Sequence, residues 1–114
     1  MRDGRTLLFG AYRDFNERRL EHVLARMAAD VVWPNGMEGG FVHGHAGVRD
    51  YWTRHWAMID PHVEPMEFED DEHGRVVVKV HQVVRDLAGE VVVDQMVRHA
   101  YVLRGGLIAR MDIE

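Results

Sequence analysis

The sequence predicts an α+β fold: a cone-shaped α+β barrel in which three N-terminal helices pack on a strongly bent antiparallel sheet. Three observations carry this. Apolar residues recur at helical spacing through most of the first half. From Val63 onward the pattern changes to the alternation of strands. Three hairpin-sized breaks, Asp70–Gly74, Asp86–Gly89 and Arg104–Gly106, divide that second half into four neighbouring antiparallel strands. Helices followed by a meander place the helices on one sheet face. Strands this long must bend to cover helices, which leaves a pocket at the mouth of a cone.

The first helix is expected over Thr6–Glu17, where Leu7, Leu8, Ala11, Tyr12 and Phe15 form one apolar stripe. A second is expected over Arg19–Ala29, with Leu20, Val23, Leu24 and Met27 on one face. Asp30–Trp33 reads as a short strand ended by Pro34, which supplies no ladder N–H. Five glycines between Gly36 and Gly47 read as loop or irregular strand. A third helix is expected from Ala46 to about Met58, with Val48, Tyr51, Trp52, His55 and Trp56 inward and Pro61 as its stop. The strands follow as Val63–Glu69, Arg75–Arg85, Glu90–Leu103 and Leu107–Ile113.

A length of 114 residues fits one domain, 1–114. An apolar share of 46% with 29% charged residues argues against wholesale disorder. The net charge is −5, and the arginines mostly sit beside Asp or Glu, so a nucleic-acid interface is not expected. No run is long enough to span a membrane, and the start, Met1–Arg5, is charged rather than signal-like. There is no cysteine, hence no disulfide or thiolate chemistry, and a cytoplasmic setting is the default. The pair His43 and His45 lacks a third ligand at suitable spacing, so no metal and no cofactor are expected.

Strand alternation selects the pocket side chains. In the third long strand the odd residues Gln95, His99 and Tyr101 face inward. In the second, Val76, Val78, Val80, Gln82 and Val84 face inward and His81 outward. In the last, Leu107, Ala109, Met111 and Ile113 form the inner set, and a bulge anywhere would invert this from that point on.

Three stretches then carry a resemblance: Phe15-Asn16 followed by Ala28–Trp33; Gly44-His45-Ala46-Gly47-Val48-Arg49-Asp50-Tyr51-Trp52; and Gly105-Gly106-Leu107-Ile108. In this order and spacing the chain resembles the SnoaL-like branch of the nuclear transport factor two-like superfamily. That resemblance implies the cone fold and a homodimer, but not one chemistry, since the fold hosts cyclases, isomerases, hydrolases and non-catalytic modules. Where ketosteroid isomerases of this fold carry an aspartate base, the sequence has Asn35; their helix-one tyrosine falls near Ala11, one position from Tyr12. The histidine of the SnoaL-type cyclases falls on His99, while their aspartate falls near Ile113, beside Asp112.

His99 is thus the candidate catalytic residue, by proton transfer on an apolar or aromatic carbonyl compound. Asn35, Gln82 and Tyr101 are candidate polar contacts, and Trp33, Tyr51, Trp52, Trp56 and Met111 a candidate apolar wall. The competing reading is a non-catalytic ligand-binding or assembly module, with His99 a hydrogen-bonded core residue.

Overall fold

The structure, a computed structural model, describes residues 4–114. The charged start at Met1–Asp3 lies outside the described residues. The element order is α1 (Gly4–Asn16), α2 (Leu20–Leu24), β1 (Met27–Pro34), β2 (Phe41–His43), α3 (Gly44–Trp56), β3 (Ile59–Asp70), β4 (Val76–Asp86), β5 (Val91–Arg104) and β6 (Leu107–Ile113). The strands form one sheet ordered β2-β1-β6-β5-β4-β3. No described helix is long and apolar enough to cross a membrane.

The meander β3–β6 is antiparallel throughout, as the hairpin breaks predict. Its tightest turn follows from Gly105 and Gly106, both at positive φ (60° and 80°), the geometry of a two-residue turn that matches strand twist. Register shifts interrupt the ladders of β3 with β4, β4 with β5, and β5 with β6. Such bulges bend strands. The sheet consequently curls around α1 and α3, and residues from β1, β3, β4, β5 and β6 line one shared cavity.

The structure differs from the sequence expectation at four places. The second helix ends at Leu24 and the strand starts at Met27, because the N–H of Ile108 bonds to the Arg26 carbonyl at 2.8 Å and Met27 pairs with Ile108. Tertiary pairing overrides helical spacing there. That pairing is parallel, so the sheet is antiparallel except at the β1–β6 seam. Residues of the glycine-rich segment form β2, antiparallel to β1, and α3 begins at Gly44. Pro61 and Pro65 lie within β3, which Pro tolerates because β3 is a sheet edge.

One inner-face assignment is also corrected. Val102 faces Arg110 but Leu103 faces Ile108, so β6 carries one extra residue around Ala109. The bulge turns Ile108 into the core, where it is fully buried, in place of Leu107. Leu8, Val23, Leu24, Val31, Val48, Val78 and Val80 complete a core between helices and sheet.

Two polar contacts fix the helices to this sheet. Asn16, at the end of α1, donates to the Val63 carbonyl (2.8 Å) and accepts from the Val63 N–H (2.9 Å), occupying the open edge of β3. Asp14, on the same helix and 1% exposed, accepts from the Arg26 guanidinium at 3.0 Å. Gly10 makes room for that guanidinium: a Cβ built there would run into Arg26 Cζ.

Candidate functional site

The alternation of β4 and β5 places Gln82 opposite Gln95, Val78 opposite His99 and Val76 opposite Tyr101. These side chains share the concave face, and α1 and α3 close over it. Between them lies a cavity of about 360 Å³, within the usual range for small-molecule sites. Its wall includes Phe15, Trp33, Trp52 and Met111. The indoles of Trp33 and Trp52 meet edge to face, with centroids 5.4 Å apart.

A hydrogen-bonded chain crosses the deep end. The Tyr101 hydroxyl donates to the Tyr12 hydroxyl at 2.8 Å, and Tyr12 bonds His99 Nδ1 at 2.7 Å. Reading the Tyr101–Tyr12 bond with Tyr101 as donor assigns the Tyr12 proton to Nδ1 and the imidazole proton to Nε2. Nε2 makes no hydrogen bond among the described residues, and His99 lines the cavity. Burial pushes the His99 pKa down to about 4, so the ring is neutral at physiological pH. Burial also raises the pKa of Tyr12 and of Tyr101, keeping both as phenols. With that assignment the arrangement offers one neutral N–H donor in an aromatic, largely apolar setting.

The mouth is lined by amides. Gln95 donates to Gln82 Oε1 at 2.8 Å, which leaves the Gln82 NH₂ and the Gln95 carbonyl without a partner among the described residues. From α3, Tyr51 and His55 also reach the cavity. The Tyr51 hydroxyl accepts from the Gly36 N–H at 2.9 Å. The His55 pKa is lowered, first by burial and then by the nearby Arg18 charge.

Of the residues singled out from sequence, Trp33, Tyr51, Trp52, Gln82, His99, Tyr101 and Met111 converge on the cavity. Asn35 does not. Its side-chain oxygen accepts from the N–H groups of Met37 and Glu38, and its NH₂ donates to Glu38 Oε1 at 2.9 Å. That is a turn-building role, in which a short amide satisfies the backbone two and three residues on. Trp56 also lies outside the lining. It stands in the last turn of α3, against Trp52 and Phe15 and under the Arg18 guanidinium, 5.0 Å from the ring. His43 precedes α3, and His45 Nε2 bonds the Met27 carbonyl at 3.0 Å, so that pair does not converge.

Tyr12 is the residue that sequence reasoning underused. Its signal was present: a polar tip on the otherwise apolar stripe of α1. Only the fold brings it to a histidine on β5.

The family model for a SnoaL-like domain matches residues 10–111. No curated protein shows a significant match to the chain. Among solved structures, TerC co-crystallized with polyporic acid is 28% identical with a TM-score of 0.84, over 97% of this chain and 89% of that one. An NTF2-like protein of unknown function from Burkholderia pseudomallei is 26% identical, TM-score 0.85, over 100% and 91%. A putative polyketide cyclase from Pseudomonas putida is 17% identical, TM-score 0.81, over 95% and 87%, a likeness of fold alone. With the match spanning almost the entire described chain, the protein belongs to the SnoaL-like domain family.

Proposed function

We propose that this protein binds a small apolar or aromatic oxygenated molecule in the cone cavity and that His99 Nε2–H donates to its oxygen. The observation that carries this reading is the chain Tyr101–Tyr12–His99, which occupies Nδ1 and, with Tyr101 as the donor, leaves the other ring nitrogen to donate. The aromatic wall supplies the apolar contact. A similar structure crystallised with a small molecule, polyporic acid, fits a ligand-binding cone. In this reading His99 is a polarising donor rather than a general base, because a ring with a pKa of about 4 is a weak base at neutral pH.

The test uses 2-acetylnaphthalene, a flat aryl ketone, as probe. In His99→Asn the side-chain oxygen can still accept from Tyr12, but nothing reaches the place of Nε2. The expected result is a folded protein with probe affinity reduced about tenfold. Unchanged affinity in the folded variant would overturn the reading.

A second reading, proton transfer on such a carbonyl compound, is favoured by the second imidazole on the cavity wall. The His55 ring makes no hydrogen bond among the described residues, and its lowered pKa leaves it unprotonated at neutral pH. It would take a proton from the carbon beside the carbonyl; the C–H electrons would form the C=C bond of the enolate as the carbonyl π pair moves onto the oxygen, which His99 holds by a hydrogen bond. Protein-dependent deuterium exchange of the probe's methyl group, abolished in His55→Phe, would support it. No exchange above buffer would leave the binding module.

The proposal includes a homodimer in a cytoplasmic setting. Met96 and Val102 are exposed on β5, at positions suited to a second copy of the chain.

A further inference from the structure

Charged residues make up 29% of this chain, yet none lines the cavity among the described residues. Its polar side chains are His55, His99, the tyrosines Tyr12, Tyr51 and Tyr101, and the two glutamines. The neighbouring cations are engaged elsewhere. Arg18 bonds Asp60 and the carbonyls of Phe15 and Pro61; Arg54 pairs with Asp50 and Glu38; Arg110 pairs with Asp112.

The cavity is also graded in depth. His99 is 7% exposed at the closed end, whereas Gln95 is exposed at the mouth. A molecule filling it meets one donor inside, then apolar rings, then an amide pair that both donates and accepts.

We infer that the site selects an uncharged, two-ended ligand: an aromatic ketone or ester whose carbonyl meets His99 and whose far end meets Gln82 and Gln95, against the carboxylate of the same shape. This rests on the binding reading above and names its ligand class. An anion entering the cavity loses its hydration and finds no counter-charge on the wall, the nearby Arg18 being paired with Asp60, and a single neutral N–H does not replace a shell of water. A neutral carbonyl loses far less and recovers one hydrogen bond. Consistent with the geometry, the titratable groups on the wall are held neutral: Tyr12, Tyr51 and Tyr101 as phenols, His55 and His99 as free bases.

The test compares two probes of nearly equal size on the full chain at neutral pH: 2-acetylnaphthalene and 2-naphthoate. Trp33 and Trp52 in the wall provide a fluorescence readout, and the His99 side-chain nitrogens provide an NMR readout. The ketone is expected to quench the indoles and shift the Nε2 resonance, with the carboxylate bound about tenfold more weakly or worse. Gln82→Leu and Gln95→Leu should weaken a probe extended by a hydroxymethyl group on the distal ring several-fold more than they change the affinity of the ketone itself. Carboxylate binding equal to or tighter than the ketone's would overturn the inference while leaving cavity binding intact. No binding of either probe up to its solubility limit would overturn the binding reading itself, and the inference with it.

Discussion

His99 and Tyr12 are tied by a single 2.7 Å contact, and each explains the other's state. Replacing Tyr12 by Phe leaves the ring in place but removes the hydroxyl that both Tyr101 and His99 use. Two buried polar groups then lack partners, at a cost of about 1–3 kcal/mol in stability. Nitrogen chemical shifts should report a single Nε2–H tautomer in the parent and a mixture in Tyr12→Phe; an unchanged tautomer would refute the assignment. The depressed pKa has its own consequence. Folding lowers the His99 pKa from 6.5 to about 4, so between those pH values the unfolded chain holds a proton that the native chain does not. The contribution of His99 to stability is therefore fully present above pH 6.5 and is lost as pH falls toward 4, by about 3 kcal/mol in all. Urea midpoints followed through this window should fall more steeply for the parent than for His99→Gln, which has nothing to titrate.

Helix α1 is held by its side-chain anchors as much as by its apolar stripe. Gly10→Ala would help an isolated helix by about 1 kcal/mol. Here the new Cβ meets the Arg26 guanidinium and drives it from buried Asp14, so the expected outcome is a net loss of about 2 kcal/mol in thermal or urea unfolding. At the other end of α1, Asn16→Ala strips both partners from Val63. Hydrogen exchange at Val63 should accelerate while β4 and β5 keep their protection. Neither anchor is readable from periodicity. The long strands, their hairpins and the inward set Gln82, Gln95, His99 and Tyr101 were legible because alternation is a local property. The start of β1 at Met27, the strand β2 and the turn inward of Ile108 were not, because each depends on a partner strand far away in sequence. The amide of Asn35 was misplaced for a related reason: a residue after a strand can face a cavity or fold back on its own turn, and only the turn's path decides.

Across the molecule, the cavity draws its wall from both halves of the chain, and the outer face of β5 carries exposed Met96 and Val102. If a second copy covers that face, light scattering gives twice the chain mass at micromolar concentration, and Met96→Glu shifts the mass toward one chain while ketone binding persists. A single-chain mass for the parent would remove the homodimer from the proposal.

The parallel seam between β1 and β6 has a consequence during synthesis. β6 lies between β1 and β5 in the sheet, yet it is translated after every other described element. Until it leaves the ribosome, β1 and β2 have no central strand to join, and the helices have only half a floor. The early β3–β5 hairpins can form on their own, but the N-terminal half must wait, with Met27 and Val31 open to solvent or to a holding chaperone. Nascent chains stalled before β6 emerges should remain protease-sensitive through α1–α3, and release of the final strand should protect both halves together.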